Sequence, residues 1–233
     1  MYPPDAYLEG KFLLIDKPLK WTSHDVVNKV RYFLTRYCKV KKIKVGHGGT
    51  LDPLATGLLI LATGKATRRL QDLIDADKTY TGTITLGAVT ETFDLESEPT
   101  DLKDTGHISG ADIEVVRKNF IGEIVQVPPI HSAIKKDGVP LYMKAREGKA
   151  EAPAPRKIHI HRFDIIEQSL PDIKFEVDCS KGTYIRSLAH DFGQQLGVGG
   201  HLSALRRTAI GPYHIKDALT VDDFLQSIGA GAS

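Results

Sequence analysis

Gly46-His47-Gly48-Gly49-Thr50-Leu51-Asp52-Pro53-Leu54-Ala55-Thr56-Gly57 is the stretch around which the chain organises. Four glycines, one histidine and one Asp-Pro step fall within twelve residues. Glycine lets a backbone bend where a side chain would clash, and it lets a ligand come close. Pro53 pushes Asp52 away from helical geometry, so the carboxylate is presented from a fixed turn. Leu58 to Ala62 is an unbroken apolar run and reads as a short buried strand. A carboxylate on a rigid loop at a strand end is a common setting for chemistry. The competing reading is an Asx-turn ahead of a proline.

The chain has 233 residues, 41% hydrophobic and 26% charged, enough for one large domain or a domain with a small appendage. A net charge of +2 does not announce a nucleic-acid binder, but the distribution is uneven. Lys39, Lys41, Lys42 and Lys44 precede the glycine loop, and Lys65, Arg68 and Arg69 follow it. Acidic residues gather between Glu91 and Asp112. Such separation can build a positive face on a nearly neutral protein; solvated helix faces are the plainer account of any one cluster. Two cysteines without a CxxC, and no basic-then-apolar leader, fit a reduced cytoplasmic chain. No apolar stretch approaches a membrane span.

Along the chain, Phe12 to Ile15 reads as a strand. Ser23 is read as the N-cap of a helix whose apolar face is Val26, Val30, Phe33, Leu34 and Tyr37. Ala66, Leu70, Leu73 and Ile74 predict a second helix. Thr79, Thr81, Thr83 and Thr85 alternate with Tyr80, Gly82, Ile84 and Leu86, which predicts a strand. Tyr80 then lies on the less polar face, where a core tyrosine is the plain reading. Residues 90–112 read as a surface excursion, residues 113–120 as a helix and residues 122–127 as a strand ended by Pro128-Pro129. Ile130 to Ala150 is a long basic loop carrying Lys135, Lys136, Lys144, Arg146 and Lys149. Two strands are expected at 158–167 and 173–178. His159 and His161 share a strand face but lack an evident third ligand, so no metal site is read. Ile185, Leu188, Ala189, Phe192 and Leu196 make a helical face. Arg186 falls in the first turn, where a cation opposes the macrodipole; an anion from elsewhere explains it better. Residues 221–228 predict a short helix and residues 229–233 a frayed tail.

The string GHGGTLDPLATG resembles the catalytic loop of the TruB family of tRNA pseudouridine synthases, written GHTGTLDPxATG. Four further blocks agree in order: Asp16 to Ser23 with KPxGxTS, where Lys20 replaces glycine; Gln126 to Gly148 with the family's thumb loop, where His131 replaces a frequent aromatic; Cys179 to Leu188 with CSxGTYIRxL; and Leu205 to Tyr213 with LRRTxxGxF/Y. Lys78-Thr79-Tyr80 matches a K-x-Y step, and Thr90-Glu91-Thr92-Phe93-Asp94 a T-x-T-x-D pattern. The resemblance implies an α/β fold around a mixed, largely antiparallel sheet flanked by helices. It implies one catalytic domain over 1–233, a thumb loop at about 126–150 and no appended C-terminal RNA-binding domain. By residue, it implies Asp52 as nucleophile, Arg186 as its ion-pair partner, and Tyr80 as the base-stacking residue and possible acceptor of the C5 proton. His47, Tyr184, Leu205, Lys78 and Lys17 would surround the substrate. Lys41, Lys42, Lys135, Lys136, Lys144 and Arg146 would hold RNA phosphates.

The implied substrate is uridine 55 in the T arm of tRNA, flipped out of its stack. The isomerisation neither gains nor loses atoms, so no cofactor or metal is expected, and no obligate protein partner: the chain is expected to act as a monomer on tRNA in the cytoplasm. Attack at ribose C1′ and at pyrimidine C6 both stay open. Two rivals stand beside this reading: an RNA-binding or tRNA-folding protein without catalysis, and an aspartate-nucleophile hydrolase of small molecules. No P-loop, dinucleotide fingerprint or G-x-S-x-G elbow is present.

Overall fold

In the computed structural model, residues 2–132, 135–136, 139–141 and 153–229 are described. They gather into two compact units, Met1–Tyr80 with Leu205–Ser233, and Thr81–Ala204. Two strands run through both: β4 (Lys78–Leu86) and β10 (Gly200–Ile210).

The first unit is built on β3 (Ala55–Thr63). Its apolar run is buried on both faces, which is why it lacks polar alternation. Leu59 and Leu61 enter one core with Val26, Val30 and Leu34 of α2 (Ser23–Tyr37), Tyr7 of α1 (Pro4–Glu9) and Phe224 of α6 (Val221–Ser227). Leu58 and Ile60 enter the opposite core with Ile210 and with Leu73 of α3 (Leu70–Asp75). β3 lies antiparallel to β1 (Phe12–Lys17) and to β2 (Val45–His47), and parallel to β10. β11 (Tyr213–His214) pairs antiparallel with β10, and β12 (Leu219–Thr220) lies parallel to β1 at the edge. Gly57 permits the approach to β10: at φ 104°, a Cβ there would stand 2.3 Å from the Arg207 carbonyl oxygen.

The N-cap of α2 is Thr22 rather than Ser23. Asp25, three residues on, decides it: the Thr22 hydroxyl accepts from Asp25 N–H, and the Asp25 carboxylate accepts from Thr22 N–H. The Ser23 hydroxyl goes to the glycine loop instead. The second helix expected from sequence is split into a 3₁₀ turn at Gly64–Arg69 followed by α3.

In the second unit the strand order is β10-β4-β9-β8-β5, with β9 (Asp172–Cys179) and β5 (Gly122–Gln126) both antiparallel to β8 (Arg156–Ser169). β6 (Lys135–Lys136) and β7 (Val139–Pro140) form a separate antiparallel pair. β4 keeps the predicted alternation, with Tyr80, Ile84 and Leu86 buried. α4 (Gly110–Asn119), capped by Ser109, and α5 (Ile185–Gln195) pack against the sheet through Phe120, Phe163, Phe175 and Phe192, whose rings meet at 5.7–6.3 Å. The fold is thus an α/β arrangement with a mixed, mainly antiparallel sheet and flanking helices.

Residues 90–112 are not wholly a surface excursion. Thr90, Thr92 and Asp94 are buried. Thr92 and Asp94 spend their polar groups on each other and on the backbone: Thr92 Oγ1 donates to Asp94 Oδ1 at 2.6 Å, and Asp94 Oδ1 also accepts from Glu96 N–H. Lys144 and Arg146 lie outside the described residues, as does the expected tail beyond residue 229.

Candidate active site

Asp52 sits half-buried in the loop between β2 and β3, in a turn closed by Ala55 N–H donating to the Asp52 carbonyl at 3.1 Å. Three side chains hold that loop by its backbone. Arg207, only 1% exposed, donates from Nε to Leu58 O at 2.8 Å, from Nη1 to Thr50 O at 3.3 Å and from Nη2 to Gly49 O at 3.1 Å. Ser23 Oγ accepts from Leu51 N–H and donates to Leu51 O. Lys17 Nζ donates to Trp21 O at 2.6 Å, Pro18 O at 3.0 Å and Pro53 O at 3.4 Å. A carboxylate on a loop gripped this way is presented with little freedom to reorient, which is what a positioned nucleophile requires.

Lys17 is the third inward residue of β1 after Leu13 and Ile15, so the strand's period of two delivers a lysine to the core side. It is fully buried, and its ammonium addresses backbone rather than open space. Burial pushes it down to about 8, against the pull of the Asp52 carboxylate and with a further push from Arg207. Lys78 is similar: its ammonium donates to Ile74 O and Ala76 O, each at 2.6 Å, and so ties the end of α3 to the start of the strand carrying Tyr80. Tyr80 is 8% exposed. Leu205 is half-buried and pairs with Ala55, three residues past Asp52. His47, on β2, has its imidazole held below the ordinary value chiefly by burial, and is neutral at pH 7.

Lys20, where the family pattern has glycine, adopts φ 65°, and its N–H donates to Pro53 O at 2.8 Å. The loop therefore keeps a glycine-type conformation with a lysine in it. Lys41 and Lys42 are exposed, while Ile43 between them and Lys44 is buried and anchors the basic segment. An open cleft of about 490 Å³ lies beside Thr56, walled by Asp16, Lys17, Trp21, Arg206 and Asp222. In it Arg206 forks onto Asp16, with Nη2 to Oδ2 at 2.6 Å and Nη1 to Oδ1 at 3.1 Å.

In the second unit, Arg186 occupies the first turn of α5 and is buried. Its Nη1 donates to Thr92 O at 3.1 Å and its Nη2 to His131 O at 2.9 Å, and Nε stands 3.6 Å from Asp94 Oδ2. The anion the sequence asked for includes Asp94. His131 serves through its backbone, and its ring is 3.6 Å from Glu91. Tyr184, the N-cap residue of α5, is fixed from both sides by the buried Gln126 amide: Tyr184 N–H donates to Oε1 at 2.8 Å, and Nε2 donates to Tyr184 O at 3.0 Å. The Arg156 guanidinium lies 4.6 Å over the Tyr184 ring. His159 and His161 are exposed with rings 4.7 Å apart, and no metal-binding group of three or more ligands occurs among the described residues. No described helix is long and apolar enough to cross a membrane.

Arg207 and Gln126 were not singled out as site residues by sequence reasoning. A signal existed for the first: adjacent Arg206 and Arg207 on a strand must face opposite ways, so one has to point inward.

Comparison with known proteins gives these features a family. The N-terminal domain of TruB family pseudouridylate synthases matches residues 35–185, and the tRNA pseudouridylate synthase B C-terminal domain matches residues 186–230. The chain is 52% identical to a tRNA pseudouridine synthase B of Flavobacterium johnsoniae, covering 97% of this chain and 99% of that protein. A protein of the same name from Phocaeicola vulgatus is 48% identical, covering 94% and 93%. Among solved structures, a chain of a Cbf5-Nop10-Gar1 complex superposes with a TM-score of 0.71 at 32% identity, covering 100% of this chain and 61% of that one. A chain of an H/ACA RNP bound to a substrate RNA containing 2′-deoxyuridine gives 0.68 at 29%, covering 100% and 60%. This chain thus spans about three-fifths of those solved chains. With both domain matches in sequence and half of its residues shared with a relative of nearly equal extent, the chain belongs to the TruB family of pseudouridylate synthases.

Proposed function

We propose that the chain isomerises uridine 55 in the T arm of tRNA to pseudouridine, in the cytoplasm and without a required protein partner. The observation that carries the reading is the anchoring of the Asp52 loop by Arg207, Lys17 and Ser23, within a chain half identical to a tRNA pseudouridine synthase B. Asp52 is the nucleophile, and Arg186 is its ion-pair partner, which keeps the carboxylate ionised and oriented. The N1 glycosidic bond breaks, the uracil turns, C5 joins the sugar and the C5 proton leaves. The base must first be flipped from its stack. Tyr80 then supplies the stacking surface and accepts the C5 proton, with His47, Tyr184 and Leu205 around it. Lys17 and Lys78 act one step back, by fixing the loop of Asp52 and the strand of Tyr80. Lys41, Lys42, Lys135, Lys136, Lys144 and Arg146 hold phosphates.

The test is tritium release from unmodified tRNA labelled at uridine C5. Near-stoichiometric release by the wild type, lost in Asp52→Asn and lost when U55 is replaced, is the expected result. Tight tRNA binding without release would leave an RNA-binding protein in its place.

A further inference from the structure

We infer that Phe93 and His190 are positioning residues that hold the groups around Arg186, a role that rests on the proposed part of Arg186 in the reaction. Two groups on the guanidinium flank Phe93: the Thr92 carbonyl and the Asp94 carboxylate. Their directions depend on the backbone between them. Phe93 has φ 63°, a conformation that crowds Cβ against the backbone and that residues other than glycine, asparagine and aspartate rarely enter. Phenylalanine has no polar side chain to compensate locally, so the surroundings must impose it.

The imposing contact is a ring stack. The Phe93 and His190 rings lie 3.9 Å apart at 17°. His190 follows Arg186 by four residues on α5, so both side chains leave the same face of one helix. That face grips the 92–94 segment twice, by the guanidinium on its backbone and by the imidazole on its one large ring. Backbone bonds brace the segment on either side: Phe93 N–H donates to Thr90 O at 3.2 Å, and Phe93 O accepts from Leu202 N–H at 2.9 Å. Without the stack, residue 93 relaxes toward negative φ, and the Thr92 carbonyl and Asp94 carboxylate no longer converge on Arg186. A stack that merely filled space would affect stability alone.

The experiment measures kcat and KM for tritium release, and the Arg186 Nε–H resonance in tRNA-free protein labelled with ¹⁵N-arginine. Variants are His190→Ala, His190→Phe and Phe93→Leu, beside wild type and Arg186→Lys. For His190→Ala we expect kcat to fall by about tenfold to a hundredfold, as misplacement of a catalytic group does, with KM for tRNA little changed. The Arg186 signal shifts. His190→Phe, which restores a flat ring, recovers most of the rate. Phe93→Leu repeats the loss and replaces His190→Ala should that variant not fold. The inference is overturned if either ring deletion lowers the melting temperature while kcat and the Arg186 signal stay as in wild type. Loss in Arg186→Lys beside full activity in His190→Ala sinks it alone. An inactive wild type sinks the functional reading instead, and the Arg186 signal still decides whether the stack positions the guanidinium.

Discussion

Lys20→Gly should make this protein more stable. Lys20 stands at φ 65°, in the left-handed region, with its side chain exposed. That conformation costs a residue with a Cβ about 1–2 kcal/mol. Glycine removes the cost but adds roughly 0.5–1 kcal/mol of backbone freedom to the unfolded chain. The net gain is about 0.5–1 kcal/mol, or about 1–4 °C in melting temperature for a chain of this size. Nothing else is lost, because the Lys20 N–H that donates to Pro53 O is kept by glycine. Urea unfolding of tRNA-free protein measures it: the midpoint rises and the slope stays the same. Lys20→Ala should lie within about 0.5 kcal/mol of wild type, since it relieves no strain and changes only an exposed side chain. Lys20→Val should be less stable, because β-branching worsens the same clash. A Lys20→Gly protein less stable than wild type, or a Lys20→Val protein equal to it, would refute the reasoning that backbone geometry, and not the lysine side chain, shapes this loop.

Two other outcomes follow from buried charge. Burial raises the Asp191 carboxyl to about 6, so between its unfolded value and 6 the native state holds a proton that the unfolded chain has released, and stability falls as pH rises through that window. Asp191→Asn should therefore be more stable than wild type at pH 7.5, by at most about 3 kcal/mol, with the gain gone near pH 4, as paired thermal melts at the two pH values would reveal. Lys17 runs the other way: above its native value of about 8 the unfolded chain keeps a proton the native state has lost. Wild type should gain stability relative to Lys17→Met as pH rises from about 8 toward the unfolded lysine value, and a constant difference across that range would show that Lys17 is not held down by burial.

Elements with a single clean periodicity were legible in the sequence. β4 declared itself by its alternating threonines, and β3 by its unbroken apolar run. β10 was visible only as a motif, because its pattern is crossed by Arg206 and Arg207, and the burial of Arg207 is justified by partners about 150 residues away. The same holds for Thr92 and Asp94: their composition is that of a surface loop, and the distant Arg186 gives them a reason to be inside. Thr22 and Ser23 are both good caps, and the choice turned on Asp25 three residues later. The Asp52 loop was legible as a fixed turn, whereas what fixes it was not, since Lys17 and Arg207 act through backbone carbonyls that leave no trace in side-chain pattern.

The grip of Arg207 on Gly49, Thr50 and Leu58 also sets a schedule. Leu58 and Arg207 are 149 positions apart. At a synthesis rate of about 5–20 residues per second, the ribosome takes on the order of ten seconds or more to reach the arginine after making the loop it must hold. Through that interval the nascent Asp52 segment has neither its β10 neighbour nor its guanidinium clamp. A growing chain is thus denied a finished Asp52 loop until Arg207 has been added, and any ribosome that stalls earlier releases a product unable to shape that loop.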